Sequence, residues 1–266
     1  MDRKGFAKEI WRYYRKHKRS FPWRKTKNPY RILVSEVMLQ QTQAERVIPK
    51  YEQFLKEFPN FSSLAQSPLS KVLRVWKGLG YNRRALYLKK TAKIVLERHG
   101  GKMPRKKESL LLLPGIGEAT AGDILAFAWN IPSVVIETNI RSVFIHFFFL
   151  REQRVSDKEI AILVKETLPK KNVREWYYAL MDYGAHLKEK ENPSRQSAHH
   201  TKQSPFKGSN RQLRSALLQY ILENTPVNTK KIFSVFSSHH KEQVKRNIEA
   251  MAKESLIRIK NGMCRI

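Results

Sequence analysis

The sequence predicts an all-α protein that ends in a small winged-helix-like module. Apolar residues recur at helical spacing through most of residues 1–187, and strand-like alternation is scarce there. Proline and glycine residues separate the helical segments. Near the C-terminal end, three amphipathic segments precede two short segments joined by Asn261-Gly262, a dipeptide typical of a tight β-hairpin turn. Three helices and a hairpin favour a winged helix, and a helical cap on the main body is the alternative.

Three regions follow one another along the chain. Residues 1–187 are predicted to form the helical body, residues 188–210 a polar linker, and residues 211–266 the terminal module. The predicted helices of the body cover residues 6–15, 31–54, 69–76, 84–98, 107–113, 118–129, 141–150, 156–167 and 173–187. In the terminal module we expect helices over residues 213–221, 229–236 and 241–254, and hairpin strands over residues 256–260 and 263–266.

The charge balance indicates a polyanionic partner. Lysine and arginine together number 52 against 23 aspartate and glutamate, so the formal net charge is +29. Such an excess repels itself in a compact fold, and nucleic acid relieves the repulsion while releasing condensed counterions. An anionic membrane surface is a weaker alternative, because the basic N-terminal helix lacks a clean lipid-facing stripe. Charge thus favours a nucleic-acid partner and says nothing about catalysis.

Cysteine and hydropathy patterns exclude several classes of protein. The single cysteine, Cys264, excludes a disulfide framework and any all-cysteine zinc or iron–sulfur site within the chain. No stretch approaches the roughly 18–20 apolar residues that span a bilayer. Residues 1–20 lack the apolar core of a secretory signal. We therefore expect a cytoplasmic protein without membrane contact.

A short glycine-containing segment, Leu113-Pro114-Gly115-Ile116-Gly117, lies between two predicted helices. Proline ends the first helix, and the glycines permit a close backbone approach. The free N–H groups at the start of the second helix then form a site for a phosphate group without reading base sequence. We expect Gly115, Gly117 and Thr120 to contact a nucleic-acid backbone, and this hairpin could also hold a monovalent cation.

Two glutamates stand in settings suited to acid–base chemistry. Glu36 lies within the apolar residues 32–39, where desolvation favours the protonated form that a proton donor needs. Glu137 follows the apolar residues 134–136 and precedes Thr138-Asn139. Each has a structural alternative, which is an ion pair with a nearby cation for Glu36 and capping of the next helix for Glu137.

Six motifs carry a resemblance to a known family. They are FPWR at 21–24, NPYRILVSEVMLQQTQ at 28–43, VWKGLGYNRRA at 75–85, LPGIGEATAGDIL at 113–125, ETNIRSV at 137–143 and LMDYGA at 180–185. In their order and spacing the chain resembles the MutY-type adenine mismatch glycosylases of the helix-hairpin-helix, endonuclease III-like superfamily. The resemblance implies a two-lobed helix-hairpin-helix fold, DNA held across the cleft, and a target nucleotide flipped into a pocket.

The resemblance also implies roles for matching residues. Glu36 matches the acid that protonates the leaving adenine, and Glu137 stands where the family has an aspartate that stabilises the oxocarbenium-like sugar. The extra methylene moves the carboxylate by about a bond length, and a misplacement of about 1 Å can lower a rate about 100-fold. The remaining matches handle the base, the sugar and the base stack; they are Arg31 near the flipped adenine, Asn139 near the sugar, and Gln40, Gln41 and Tyr81 as residues that enter the stack.

Cationic side chains near these motifs are expected to contact phosphates. They are Arg83, Arg84, Arg141 and the basic N-terminal residues, although each of them taken alone is more typical of a solvated surface. Residues 186–206 contain none of the four cysteines that hold an iron–sulfur cluster in the family, so we expect no cluster and no other cofactor. In that stretch we expect Arg195, His199 and Lys202 to supply phosphate contacts that the cluster loop would otherwise make.

Two further departures concern strand cleavage and recognition of the opposite base. Bifunctional relatives carry a Schiff-base lysine two residues beyond the second hairpin glycine, where this chain has Ala119, so we expect base removal without strand cleavage. Residues 211–266 are too short and too helical for the Nudix-like domain that relatives commonly add. The basic helix over residues 241–253 could instead contact a DNA groove generically.

These features together predict a nucleoid-associated, monomeric base-excision-repair glycosylase that binds duplex DNA containing a mismatch or lesion. Its expected substrate is adenine opposite 8-oxoguanine or guanine. A glycosylase for thymine or uracil opposite guanine is an alternative, which Glu36 and the glutamine pair Gln40-Gln41 disfavour. A catalytically weak DNA-lesion-binding protein is the other alternative, and Glu137 in place of aspartate and the missing cluster support it.

Overall fold

The structure, a computed structural model, describes residues 2–150, 152–201 and 204–266. Its described residues form helices and three short strands, which confirms the predicted all-α class. In chain order the elements are α1 (Arg3–His17), α2 (Pro29–Leu39), α3 (Ala44–Glu57), α4 (Phe61–Gln66), α5 (Leu69–Trp76), α6 (Arg83–Arg98), α7 (Lys107–Leu111), α8 (Glu118–Trp129), α9 (Thr138–Phe148), α10 (Asp157–Thr167), α11 (Val173–Lys190), α12 (Asn210–Glu223), β1 (Val227–Asn228), α13 (Thr229–Val235), α14 (Lys241–Lys253), β2 (Arg258–Lys260) and β3 (Met263–Arg265). Within the described ranges, no helix is long and apolar enough to cross a membrane.

The chain divides into two units. Unit 1 contains Met1–Gln40 and Met103–Lys202, and unit 2 contains Gln41–Lys102 and Gln203–Ile266. Unit 1 therefore holds α1 and α2 together with α7 to α11, whereas unit 2 holds α3 to α6 and the terminal module. Each unit buries large aromatic side chains of its own, since Phe6, Phe144 and Trp176 are buried in unit 1 and Phe54, Phe58 and Trp76 in unit 2.

Helix α8 is buried on nearly every side. Every residue from Thr120 to Ala128 is buried, and helices α2 and α11 pack against α8. Small residues allow this packing, because a Cβ atom at Gly122 would lie 2.7 Å from Cγ2 of Val135. A helix that is apolar all round is typical of a protein core. Helix α8 thus forms the centre of unit 1, against which its neighbours are placed.

An ion-pair cluster joins the segment before α2 to α11. Asp182 on α11 is 2% exposed, and it accepts hydrogen bonds from the Arg24 guanidinium at 2.8 and 2.9 Å and from Nε of Arg19 at 2.6 Å. The Arg24 guanidinium also lies over the ring of Tyr178, 4.4 Å from its centroid. Both carboxylate oxygens of Asp182 have partners, so the buried charge is compensated. The FPWR and LMDYGA motifs are therefore joined in the fold.

Helices α9 and α11 approach closely at Gly184. A Cβ atom there would lie 2.1 Å from the backbone oxygen of Asn139. We expect Gly184→Ala to lower the free energy of unfolding by at least about 2 kcal/mol, because backbone cannot move aside as a side chain can. Urea denaturation followed by circular dichroism measures this loss. Gly117→Ala is the matched control, since the Cβ position at Gly117 is open space; an equal loss in both variants would contradict the packing argument.

The terminal module in unit 2 has the element order of a winged helix, with α12, β1, α13, α14, β2 and β3 in sequence. Its strands form an antiparallel sheet in the order β1-β3-β2. Asn261 and Gly262, with φ angles of 50° and 72°, form the two-residue turn between β2 and β3. The winged-helix-like prediction is confirmed. Strand β1 was not predicted, because two residues are too few for alternation to show.

Two predicted helix boundaries are wrong. The helix predicted over residues 31–54 is two helices, α2 and α3, because Gln41 adopts a left-handed conformation with φ of 55° although the apolar periodicity continues. The helix predicted over residues 141–150 begins earlier, at Thr138, because Glu137 caps it. The short helix α4 is an addition that the periodicity did not indicate.

Residues 188–201, part of the predicted linker, have local structure in unit 1. Pro193–Gln196 form a 3₁₀ turn, and Val155 pairs with Ser197 in an isolated parallel bridge. His199 lies near Asp157, with Nε2 3.9 Å from Oδ2. Lys202, predicted as a phosphate contact, lies outside the described residues. Polar composition and missing periodicity could not indicate a bridge made by backbone groups.

Candidate active site

Glu36 is carried by a helix whose start is set by sequence. Asn28 caps α2, since its side chain accepts hydrogen bonds from the N–H groups of Tyr30 and Arg31, and Pro29 occupies the first helical position. Apolar residues of α2 are buried in unit 1, and Glu36 is half-buried beside them. The predicted base-pocket residue Arg31 is exposed on the same helix.

The Glu36 carboxyl group is held in its protonated form. Burial raises its pKa to about 8, with a contribution from the nearby Glu137. A 3.3 Å hydrogen bond from Oγ of Ser35 and the charge of Arg24 oppose this effect only in part. The group therefore carries a proton at neutral pH, as the sequence predicted from its apolar surroundings.

Glu137 is the N-cap of α9. Its Oε1 accepts hydrogen bonds from the N–H groups of Asn139 at 2.9 Å and Ile140 at 3.0 Å, and its Oε2 accepts one from Nδ2 of Asn139 at 3.3 Å. Burial raises the pKa of Glu137, while these bonds and the charge of Arg141 act in the opposite direction. The capping alternative is thus realised, and it fixes the carboxylate at the positive end of the α9 dipole.

A third carboxyl group, Asp123, escaped the sequence analysis. It lies on the buried helix α8, is 7% exposed, and interacts electrostatically with Glu36 and Glu137. Burial raises its pKa well above the usual range, and the two glutamates add to the rise. The sequence feature that could have indicated it is an acidic residue within the otherwise apolar residues 122–128, GDILAFA. Its role could not be inferred without knowing which helices pack against α8.

Gln40 links the end of α2 to the helix after the hairpin. Its Nε2 donates a 3.1 Å hydrogen bond to Oγ1 of Thr120 on α8. Thr120 was predicted to contact the DNA backbone. It is buried in unit 1, where its hydroxyl group accepts the bond from Gln40. The bond holds the Gln40 side chain at the start of α8, beside the hairpin.

The two glycines of the hairpin differ in backbone conformation. Gly115 has φ of 77°, a conformation that favours glycine, and Gly117 is the exposed N-cap of α8. Glu118 follows and is ion-paired with Lys107 at 2.6 Å. The exposed start of a twelve-residue helix leaves backbone N–H groups available for an anion.

The predicted phosphate contact Arg141 has an internal partner. Its guanidinium forms two hydrogen bonds with Asp157, at 2.7 and 2.8 Å. This paired geometry joins the start of α10 to α9 and holds the cation near Glu137. The phosphate contact of Arg141 stays a prediction, and the structure adds a positioning role.

Four further residues that were predicted to contact DNA lie in unit 2, whereas the predicted phosphate contact Arg195 is exposed in unit 1. Tyr81 is 40% exposed with φ of 46°, and Gln41 is also exposed with a left-handed backbone. Arg84 is only 8% exposed, and it donates to the backbone oxygens of Leu79 and Gly80 at 3.0 and 3.2 Å. Arg84 therefore holds the GLGY loop that carries Tyr81, whereas Arg83 is exposed and donates to the Tyr87 hydroxyl at 2.6 Å.

The donor groups of this chain do not fit an iron–sulfur cluster. Cysteine thiolates are the usual ligands, and Cys264 is buried on β3, far along the chain from residues 186–206. Within the part of the chain that the structure describes, no three histidine, cysteine, aspartate or glutamate residues form a group that could hold a metal ion. The expectation that no cofactor is needed stays a prediction.

The chain is similar in sequence to known DNA-repair proteins. Residues 34–170 match the model of the HhH-GPD superfamily base excision DNA repair proteins. An adenine DNA glycosylase of Buchnera aphidicola subsp. Baizongia pistaciae is 40% identical over 185 residues, which are 68% of this chain and 52% of that protein. A thymine/uracil-DNA glycosylase of Methanothermobacter thermautotrophicus is 30% identical over 186 residues, which are 69% of this chain and 84% of that protein.

A solved structure is similar in fold to this chain. The structure of a thermostable thymine-DNA glycosylase matches with a TM-score of 0.63 and 29% identity, over 69% of this chain and 86% of that chain. The first adenine glycosylase relatives are longer, and the matched region spans about half of their length.

Proposed function

The chain belongs to the HhH-GPD superfamily of base excision DNA repair proteins, and from this premise we propose that it is a monofunctional DNA glycosylase. It hydrolyses the N-glycosidic bond of adenine mispaired with 8-oxoguanine or guanine, and it acts on duplex DNA as a monomer. Residues 1–187 form the glycosylase domain. The 40% identical relative named adenine DNA glycosylase supports the choice of base.

The contrast between two carboxyl groups of unit 1 carries this proposal. Glu137 accepts three hydrogen bonds from N–H groups, which favour its charged form. Glu36 accepts one long hydrogen bond from a hydroxyl group, and burial raises its pKa to about 8. An acid that keeps its proton beside a carboxylate that keeps its charge suits the removal of a poor leaving base.

The reaction follows from these two states. Glu36 donates its proton to the departing adenine, and the electron pair of the bond between C1′ and the base leaves with it. The Glu137 carboxylate stabilises the positive charge on the sugar. Water then adds to C1′, and the proton that it loses returns to the Glu36 carboxylate. The products are free adenine and an abasic site. Ala119 has no amine to attack C1′, so the strand stays intact.

A panel of duplexes tests this function. The protein, in excess over DNA, is incubated with duplexes that carry A:8-oxoguanine, A:G, T:G or U:G, and strand breaks are scored with and without alkali. We expect alkali-dependent cleavage at adenine only. Cleavage without alkali would contradict the monofunctional mechanism, and no cleavage of any duplex would leave lesion binding without catalysis as the function.

Removal of thymine or uracil opposite guanine is the second candidate function. Two observations favour it: the relative named thymine/uracil-DNA glycosylase is matched over 84% of its length, and the structure with a TM-score of 0.63 is a thymine-DNA glycosylase. Neither protein matches as strongly in sequence as the 40% identical relative. Cleavage of the T:G and U:G duplexes alone would decide for this candidate.

The winged-helix module, residues 211–266, binds the duplex backbone. Its helix α14 occupies the chain position of a recognition helix, and Lys241, Lys245 and Arg246 are exposed on it. Arg258 and Lys260 are exposed on the hairpin strand β2. Such cations neutralise phosphates without reading sequence, which suits an enzyme that must act at any position in the genome.

Removing three of these cations should weaken binding in a salt-dependent way. For the combined change Lys245→Ala, Arg246→Ala and Lys260→Ala we expect about tenfold weaker duplex binding and a salt dependence lower by about 2 in slope. Fluorescence anisotropy across a series of salt concentrations measures both. The combined change Lys56→Ala, Lys90→Ala and Lys93→Ala is the matched control, because it removes three exposed cations from other helices of unit 2; equal losses would refute the module's role.

A further inference from the structure

Asp123 is a buried acid, and one of its two carboxyl oxygens has no partner among the described residues. It lies on α8 with 7% of its surface exposed. Its Oδ1 atom is buried without a hydrogen-bond partner among the described residues. An unpaired buried carboxylate is unfavourable by several kcal/mol, so such a group either holds a proton or marks a functional site.

The packing of two helices turns Asp123 towards Glu36. Nε2 of Gln40 donates a 3.1 Å hydrogen bond to Oγ1 of Thr120, which joins the end of α2 to the first turn of α8. Glu36 precedes Gln40 by four residues, and Asp123 follows Thr120 by three. Residues three or four apart share a helix face. The bond therefore brings together the helix faces that carry the two acids.

Among the residues that the structure describes, the charges that act on Asp123 are negative. The groups that act on it from neighbouring elements are acidic or neutral; they are Glu36 on α2, Glu137 at the start of α9 and the Tyr177 hydroxyl on α11. That hydroxyl donates to the backbone oxygen of Ser133. The environment of Asp123 thus favours its uncharged form.

The nearby cations act on other groups. The charge of Arg24 opposes the rise in the pKa of Glu36, and the charge of Arg141 opposes the rise in the pKa of Glu137. On α7, Lys107 is paired with the exposed Glu118 at the first turn of α8. These three carboxyl groups cannot all be ionised in this setting, because desolvation disfavours each charged form and the two glutamates add to this effect at Asp123.

The hydrogen bonds decide which carboxyl group stays charged. Glu137 accepts three bonds from N–H groups, whereas Glu36 accepts one long bond and Oδ1 of Asp123 accepts none among the described residues. Glu137 is therefore the ionised member. Glu36 and Asp123 then behave as a carboxyl pair, which gives up its two protons in separate steps that belong to the pair.

We propose that Asp123 is the proton-sharing partner of Glu36 and keeps a proton available to Glu36 at alkaline pH, where a lone carboxyl group would be ionised. This inference rests on the proposed glycosylase function. When Glu36 has given its proton to the base, the proton of Asp123 passes to Glu36, and the proton released by the attacking water returns to the pair. No proton is gained or lost by the protein over the cycle.

Asp123→Asn tests the inference, because asparagine imitates the uncharged acid in shape but carries no transferable proton. We expect its single-turnover rate to stay within about threefold of wild type at pH 6, and to decline at a pH lower by at least about 1 unit, so that it is about tenfold below wild type at pH 9. A purely structural role would lower the rate by the same factor at every pH.

Two further measurements make the outcome decisive. Thermal melting at pH 6 shows whether the variant is folded, and the smaller Asp123→Ser replaces it if asparagine is not accommodated. An alkaline decline that coincides with that of wild type would overturn the role of Asp123 alone. Absence of base release by the wild type at every pH would overturn both this inference and the proposed function.

Discussion

Replacing Glu36 by glutamine is expected to lower the single-turnover rate of adenine release by about 10³-fold, while duplex affinity stays unchanged. Glutamine has nearly the same shape but cannot donate an acidic proton. The site is already uncharged at neutral pH, because burial raises the pKa of Glu36 to about 8. The substitution therefore removes the proton and leaves the electrostatics of binding nearly as they were. Rates from rapid quench and affinities from anisotropy measure the two effects separately.

The pH dependence gives a second test of Glu36. A raised pKa means that the protonated, active form persists well above the usual range of a glutamate. We therefore expect the wild-type rate to be level from about pH 6 to about pH 8 and to fall only at higher pH. A rate that already falls between pH 4 and pH 6 would contradict the proton-donor role.

A matched variant separates loss of the proton from loss of a carboxyl group in general. Glu166 on α10 forms an ion pair with Arg3 at 2.6 Å on the surface of unit 1. Glu166→Gln should keep the wild-type rate within a small factor, because surface pairs contribute about 0–1 kcal/mol. Equal losses in Glu36→Gln and Glu166→Gln would show that the first variant is inactive for reasons other than chemistry.

Replacing Glu137 by glutamine is expected to lower the rate by about 10²-fold to 10³-fold. The amide oxygen can still accept the hydrogen bonds of Asn139 and Ile140, so the cap of α9 is retained. The variant loses only the negative charge that faces the developing positive charge on the sugar. Single-turnover rates at saturating protein, together with thermal melting, distinguish loss of charge from loss of the cap.

Glu137→Asp is the matched variant that keeps the charge. Aspartate is a favoured N-cap residue, so its carboxylate should remain at the start of α9 with a small displacement. We expect this variant to stay within about tenfold of wild type, since a displacement of about 1 Å changes a rate by up to about 100-fold. If Glu137→Gln were as active as Glu137→Asp, the cap alone would account for Glu137.

Local sequence was enough to predict the parts of the fold that local chemistry determines. The turn at Asn261-Gly262 and the hairpin at Gly115 have the conformations that their residues favour. The break between α2 and α3 could not be predicted, because the left-handed residue there is Gln41 rather than glycine. Residues 40–43 contain no glycine or proline that would mark the break.

Individual residues of the candidate site could be predicted from the sequence, but the contacts between them could not. Glu36 was found from its apolar neighbours. The residues after Glu137 indicated only the capping role, and its catalytic role was implied by the family resemblance. The importance of Asp123 depends on the packing of α8 against α2. The hydrogen bond between Gln40 and Thr120, which are 80 residues apart, joins these two helices. Arg84 was expected on the surface but is buried beneath the GLGY loop. The Gln40–Thr120 contact joins distant parts of the chain and leaves no periodic signal, whereas Arg84 donates hydrogen bonds to backbone oxygens only four and five positions earlier.

Identification of the released base tests the central claim most directly. The wild-type protein, in excess over a duplex with one A:8-oxoguanine pair, is allowed to react once, and mass spectrometry identifies the free base while a gel shows whether the strand is intact. We expect one equivalent of free adenine and an unbroken strand, and neither product from Glu36→Gln. Release of thymine or uracil from the T:G or U:G duplexes without any adenine, or no free base at all, would contradict the assignment.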